Sequence, residues 1–382
     1  MAEPVAAKPA SRRLKQFVLK PTVFCYHRCP YCDLRQDYYR EMVADRKRSL
    51  HIVSTNGQSA EQQPARKPNP GHMPLDMALR TIEEAAELGM EELQLSGGDP
   101  LLYPHLIEVI QAAKRHPGVF VLMNSVGTGV TVAKAREIIE AGLGAWNFSI
   151  DTLDPLKYEL LRGVRDALPT ILDAVHTVRE AGRGRDVAEF RMNYMTVITR
   201  LNFRDIPEIV AHCVDTGIAS IYLMNVYGDT TGKSLLTEPE IREFRGETVP
   251  SILDILRSKN TADIVQANAA QVLASFFSAD NSDANYAQGV YWPDRESARI
   301  ACHVPDYYAL IEPDGRTLPC CLVEISHEGE IGNVMDRSLT EVFTGEDADK
   351  FRRERIPFCQ KCPSPRNRTL GLVPYMCRQF RD

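Results

Sequence analysis

The sequence predicts an α/β fold: a partial (β/α)6 barrel followed by a small cysteine-rich domain. Three observations predict it. Between residues 16 and 228, short apolar runs alternate with amphipathic stretches of helical period. A helical stretch lies between successive strands, as parallel pairing demands, because parallel strands need a long crossover. Nine of the ten cysteines fall near the two ends of the chain: Cys25, Cys29 and Cys32, then Cys302, Cys320, Cys321, Cys359, Cys362 and Cys377.

Taken in order, "QFVLKPTVF" reads as the first strand and delivers the cysteine loop. "DMALRTIEEAAELG" is an amphipathic helix with a glycine stop, and "EELQLS" the second strand. "HLIEVIQAAKRH", "VAKAREIIEAG", "LPTILDAVHTVREAG" and "DIPEIVAHCVDTG" continue the helices. "GVFVLMNS", "AWNFSID", "EFRMNYMTVIT" and "SIYLMNV" continue the strands. Six units are fewer than the eight that close a full barrel, so an open or partial one is expected, with functional groups at the C-terminal strand ends. The domain reading is a flexible tail over 1–15, the barrel over 16–235, a helical bridge over 236–298 and the cysteine-rich domain over 299–382. Residues 33–73 form an insertion too long and polar for an ordinary connection.

Composition narrows the function. With 382 residues, 44% hydrophobic and 25% charged, the chain is an ordinary globular one. A net charge of −6 argues against nonspecific nucleic-acid binding. No apolar run approaches a membrane span, and the N-terminus lacks a signal-peptide apolar core. No nucleic-acid or membrane partner is expected, and the location is expected to be cytoplasmic. In a reducing compartment, clustered cysteines point to metal or iron–sulfur ligation rather than disulfides.

The spacing C-x3-C-x2-C supplies three thiolates from one loop. Three thiolates hold three irons of a cubane and leave the fourth open, as a reactive centre requires. A zinc knuckle completed by His27 or a distant residue is the competing reading.

This motif, with Tyr31 as the aromatic before its last cysteine, resembles the radical S-adenosylmethionine (radical SAM) superfamily. The resemblance implies a [4Fe–4S] cluster on Cys25, Cys29 and Cys32, whose open iron is chelated by S-adenosyl-L-methionine. It implies one-electron cleavage of SAM to methionine and a 5′-deoxyadenosyl radical, which removes a hydrogen atom from substrate. "LQLSGGDPLLYP" resembles the family's Gly-Gly-Glu-Pro segment, which holds the SAM ammonium. Gly97 and Gly98 allow close backbone approach, and Asp99 stands where the family has Glu, one methylene shorter. Asn124, Ser149 and Asp151 lie at later strand ends, where the family hydrogen-bonds the SAM ribose or carboxylate. Asp151 reads equally well as a helix N-cap. Arg162 in "LLRG" and Arg191 on the fifth strand complete the expected SAM contacts, and alternation puts Arg191 and Asn193 on one face, Met192 and Tyr194 on the other.

The C-terminal region resembles the SPASM/twitch domains of that superfamily. Twelve residues separate Cys302 from Gly315 and four separate Gly315 from Cys320, with Cys359 and Cys362 as C-x2-C. Arg368 occupies the next cysteine position of the full pattern. The resemblance therefore implies the shorter, twitch arrangement with one auxiliary [4Fe–4S] cluster on Cys302, Cys320, Cys359 and Cys362. Cys321 and Cys377 are extras, either buried, substitute ligands or hydrogen donors. Cys213 is the third candidate hydrogen donor.

The expected function is hydrogen abstraction from a small polar substrate of sugar, aminoglycoside or nucleoside type in secondary metabolism, as an oxidation. The alternatives are a ribosomal-peptide maturase, a redox-neutral epimerase, decarboxylase or dehydratase, and, from another class, a non-enzymatic iron–sulfur or zinc protein. A reducing partner such as flavodoxin or ferredoxin is implied.

Overall fold

The computed structural model describes residues 13–32, 71–226, 233–259, 273, 282–290, 302–323, 329–356 and 359. Six strands occur where the alternation places them: β1 (Gln16–Thr22), β2 (Glu92–Gly97), β3 (Phe120–Ser125), β4 (Ala145–Ser149), β5 (Arg191–Ile198) and β6 (Ser220–Asn225). They pair in parallel and in chain order. The helices between them are α1 (Leu75–Glu87), α2 (Leu106–Lys114), α3 (Val132–Glu140), α4 (Pro155–Arg162), α5 (Ala167–Ala181) and α6 (Ile206–Asp215).

Alternation along each strand sorts side chains between two faces. Leu93, Leu95, Val121, Met123, Trp146 and Phe148 pack with the apolar sides of the helices in one buried core. Trp146 and Phe148, two residues apart on β4, stack with ring centroids 5.4 Å apart. The other face is the inner wall of the barrel and is largely polar. On it, Ser220 Oγ donates to Asn193 Oδ1 (2.8 Å), Asn193 Nδ2 to Asn147 Oδ1 (2.8 Å), and Asn147 Nδ2 to Asn124 Oδ1 (2.9 Å). These four residues are register partners on β6, β5, β4 and β3. Buried amides paired in this way avoid the penalty of unsatisfied polar groups.

The helix α4 was not among the helices read from periodicity. It is eight residues long, and Leu156 and Leu160 point outward, 75% and 60% exposed, so its apolar pattern is blurred. Its punctuation is nevertheless complete. Asp154 accepts from the backbone of Leu156 (2.8 Å) and Lys157 (3.0 Å), Pro155 opens the helix, and Gly163 ends it in the left-handed region at φ 65°.

Within the expected helical bridge over 236–298, the described residues hold α7 (Glu238–Glu243), a π-helical turn over Phe244–Thr248, α8 (Val249–Ser258) and α9 (Asp283–Ala287), and residues 260–272, 274–281 and 291–298 lie outside them. Residues 1–12 of the tail, most of the 33–73 insertion, Cys362 and Cys377 lie outside the described residues; Leu14, expected in the flexible tail, is buried and donates its N–H to Leu88 O (3.0 Å).

The sheet does not end at the expected domain boundary. After α10 (Val304–Tyr307), strand β7 (Tyr308–Ile311) pairs in parallel with β1, Gln16 opposite Tyr308 and Leu19 opposite Ile311. Strands β8 (Arg316–Leu318) and β9 (Gly332–Asn333) follow antiparallel, making nine strands in one sheet. Helices α11 (Leu339–Thr344) and α12 (Glu346–Glu354) close the module, α11 opened by a Ser338–Glu341 capping box. Strand β1 is thereby buried along its whole length. Its charged residue, Lys20, pairs with Glu312 just beyond β7 at 3.0 Å, both side chains under 10% exposed.

Removing one partner of a buried pair strands the other charge. Lys20→Met is expected to lower unfolding free energy by about 3–5 kcal/mol, measured by chemical denaturation. Lys20→Met combined with Glu312→Leu is expected to recover most of the loss.

Candidate active site

The cysteine loop leaves β1 and runs beside the end of β2. Backbone hydrogen bonds from Gly98 N to Thr22 O (2.8 Å) and from Asp99 N to Phe24 O (2.6 Å) fasten the two together. The approach explains the glycines. Gly97 sits at φ 100°, and a Cβ there would lie 2.6 Å from Thr22 O. A Cβ on Gly98 would run into the Phe24 carbonyl. The close approach that Gly97 and Gly98 permit is therefore to the chain's own cysteine loop.

Asp99 is 1% exposed. It accepts from Ser125 Oγ (2.6 Å) and Leu101 N (3.1 Å) through Oδ1, and Oδ2 is buried without a partner. Burial raises its pKa above the usual carboxylate value. An orphaned carboxylate oxygen beside the cysteine loop is an acceptor that a cationic amine satisfies.

Across the loop, Asp151 is fully buried. Its Oδ1 accepts from Val197 N (2.9 Å); its Oδ2 accepts from the Tyr31 hydroxyl and pairs with Arg162 Nη2 at 2.7 Å. Arg162 also points Nη1 at Cys29 Sγ (3.6 Å), while its carbonyl accepts from Arg28 N (2.8 Å). Asp151 is thus no helix cap; Asp154 is. Tyr158, one turn before Arg162 on α4, bonds His27 Nε2 at 3.2 Å. The sequence reading passed over Tyr158, although Tyr158, Leu161 and Arg162 share the i, i+3, i+4 face of α4 that is buried.

The electrostatics follow from burial. Desolvation first, then the Asp99 carboxylate, pushes the Cys25 thiol up to about 12, with Cys29 and Cys32 adding to the rise. Desolvation also raises Cys29, against the pull of Arg162. It lowers His27 to about 4, helped by Arg162. Ligation therefore has to displace protons from these thiols. Among the described residues, no three His, Cys, Asp or Glu side chains converge on a single ion. The loop thiols feel one another's charge. In a cubane each thiolate takes a different iron, whereas zinc gathers its ligands about 2.3 Å from one ion. The donors from His27 N to Cys25 Sγ (3.4 Å) and from Arg162 to Cys29 also suit anionic sulfur.

Ser149 ends β4, half-buried on the inner wall beside Asn147, and Asn124 stands at the end of the amide row. Arg191 does not join them. It is the first residue of β5, its guanidinium over the Phe120 ring at 4.8 Å. Val197, which touches Asp151, lies six residues on, about 20 Å along the strand. The expected SAM contact of Arg191 is corrected on that ground. Cys213 is corrected too. It is buried on α6 in the outer helical layer, its thiol facing Ile218 O and pushed up to about 12 by burial. A hydrogen donor has to reach the inner wall, and this thiol does not.

Cys302 and Cys320 take the opposite end of the sheet. Cys302 precedes α10, and Cys320 follows β8, whose Leu318 faces Leu310. Because β7 runs parallel to β1, both lie toward the N-terminal end of β1, on the order of 20 Å from the loop that leaves its other end. Arg355 donates to Cys302 O (2.5 Å), and Cys359 N to Ile356 O (2.9 Å), tying these segments together. Cys302, Cys320, Cys321 and Cys359 are all half-buried against the core.

The family model of the radical SAM superfamily matches residues 19–213, half of the chain. The chain belongs to the radical SAM superfamily. A second model, an iron–sulfur cluster-binding domain called SPASM, matches residues 302–363. This radical SAM enzyme therefore uses a [4Fe–4S] cluster and S-adenosylmethionine, with auxiliary iron–sulfur binding at its C-terminus, and it needs a one-electron reductant. Membership sets aside the non-enzymatic reading. The chain is 24% identical over 308 residues to the PqqA peptide cyclase of Granulibacter bethesdensis, covering 79% of this chain and 74% of that one. It is 28% identical over 301 residues to the AdoMet-dependent heme synthase of Nitratidesulfovibrio vulgaris, covering 78% and 77%. In fold it is similar to Streptococcus suis SuiB bound to precursor peptide SuiA, with a TM-score of 0.60, 15% identity, and coverage of 92% of this chain and 70% of that one. It is also similar to anSMEcpe with bound AdoMet, with a TM-score of 0.57, 12% identity, and coverage of 91% and 88%. No helix among the described residues is long and apolar enough to cross a membrane.

Gly98→Ala is expected to push the cysteine loop off β2. The expected cost is about 1–3 kcal/mol of stability together with loss of iron uptake at the first motif, read by melting temperature and iron content after anaerobic reconstitution.

Proposed function

We propose that this radical SAM enzyme abstracts a hydrogen atom from a peptide substrate held in the barrel between two iron–sulfur sites, and completes an oxidation of it. The observation that carries the reading is that the cysteine loop and the pair Cys302 and Cys320 lie at opposite ends of β1, with the polar inner wall between them. Cys25, Cys29 and Cys32 hold the cluster that meets SAM. When bound, that cluster supplies one electron to SAM, whose cleavage yields the hydrogen-abstracting 5′-deoxyadenosyl radical. Asp99 presents its orphaned oxygen to the SAM amine. Cys302, Cys320, Cys359 and Cys362 hold the auxiliary cluster, placed to take up the electron that an oxidised substrate gives away. A flavodoxin or ferredoxin serves as reductant.

Two points favour a peptide over the sugar- or nucleoside-type substrate expected from sequence. The peptide cyclase relative matches over 308 residues, 79% of the chain, which is longer than the barrel alone. The relatives named GTP 3′,8-cyclase match over 172–174 residues, 44–45% of the chain, a length that fits the barrel and its SAM chemistry alone. At the end of the amide row Asn124, half-buried with its Oδ1 taken by Asn147, keeps its side-chain N–H for an acceptor such as a peptide carbonyl. The tetrapyrrole-type names among the relatives make a heme precursor the second substrate to try.

The test is anaerobic. With iron, sulfide, SAM and a reductant, the reconstituted chain is expected to bind about eight irons, four per cubane, and to form 5′-deoxyadenosine. Cys32→Ala is expected to abolish that product. Cys320→Ala is expected to lose one cluster's iron and keep the first site. Candidate peptides, sugars, nucleosides and heme precursors are then ranked by how far each accelerates 5′-deoxyadenosine formation. Acceleration by a sugar or nucleoside and by no peptide overturns the substrate class; zinc in place of iron overturns the chemistry.

A further inference from the structure

We propose that Arg162 sets the reduction potential of the SAM-meeting cluster through its N–H contact to Cys29, with Asp151 and Tyr31 holding the guanidinium in place. The inference rests on Cys25, Cys29 and Cys32 being the ligands of that cluster.

The sequence pattern suggests another role for these residues, contact with SAM itself. The geometry points elsewhere. Asp151 is fully buried, and three protein donors occupy its carboxylate: Val197 N, the Tyr31 hydroxyl and Arg162. Arg162 is 7% exposed, with Nη2 on Asp151 at 2.7 Å and Nη1 on Cys29 Sγ at 3.6 Å. Both ends of the node land on the cysteine loop, one on the aromatic ring at Tyr31 and one on the thiol at Cys29. Gly163 keeps the fit tight, since a Cβ there would stand 2.5 Å from the Arg28 carbonyl.

Charge gives the effect its sign. Thiolate sulfur on a cluster carries more negative charge in the reduced state. A buried cationic donor on one sulfur therefore stabilises reduction and raises the potential; hydrogen bonds to sulfur are among the levers that set such potentials. The Asp151 carboxylate opposes it from the far side of the guanidinium. Arg162 and Asp151 thus act in opposite directions on the same cluster, whereas a merely structural contact moves both variants the same way.

The experiment uses the full chain, reconstituted anaerobically, with a redox titration of the EPR component that changes when SAM is added. Arg162→Gln is expected to lower its midpoint by at least the equivalent of tenfold in the one-electron equilibrium, about 59 mV. Arg162→Lys, which keeps the charge and loses the fork, is expected to fall by less. Asp151→Asn is expected to raise it. An unshifted midpoint in Arg162→Gln overturns the inference. Weaker SAM binding at an unchanged midpoint also overturns it, by placing Arg162 on SAM. If Arg162→Gln takes up no cluster, Arg162→Lys is read by the same rule, and an unshifted midpoint there has the same force. Wild-type protein with no SAM-responsive component overturns the functional reading and this inference with it.

Discussion

A fully buried carboxylate organises the mouth of this barrel. Asp151 needs donors, because a buried charge without them is costly. It finds them on three separate pieces of chain: the β5 backbone, the ring of Tyr31 and the guanidinium of Arg162. Each of those pieces is thereby located. The cysteine loop is drawn toward the end of β4, and α4 is set down on top of it. Tyr158 then reaches His27 from the same helix face.

The opposite side of the loop is held by backbone hydrogen bonds to the end of β2. The turn at Gly97 and Gly98 extends the β1–β2 ladder past the end of the strands, and it succeeds only because neither residue has a Cβ. Side-chain charge on one side and backbone hydrogen bonds on the other hold the loop that carries the three thiols.

Strand β1 connects this mouth to the C-terminal module. It pairs with β2 on one edge and β7 on the other, and the Lys20–Glu312 pair adds a buried electrostatic tie across the second junction. The module is therefore an extension of the barrel sheet. Cys302 and Cys320 fall at the far end of β1 because β7 runs parallel and the β7–β8 hairpin returns the chain to that end.

The alternation of apolar runs and amphipathic helices by itself determined the six parallel strands, because period and crossover length are local properties. Spacing alone likewise singled out the C-x3-C-x2-C loop and the Gly-Gly-Asp turn, since those residues are neighbours in the chain. Helix α4 was legible only from its Asp-Pro start and Gly stop, its outward leucines having masked the period. Tertiary structure decided what the polar residues do. Arg191 and Ser149 belong to the same inner face in sequence, yet they lie at opposite ends of it, because strand position and not alternation sets depth in a barrel. Asp151, Tyr31 and Arg162 are 120 and 11 residues apart in the chain and touch only when β1, β4 and α4 are packed. The addition of β7 to β1 was equally out of reach, because pairing across nearly 300 residues leaves no periodic trace in either strand.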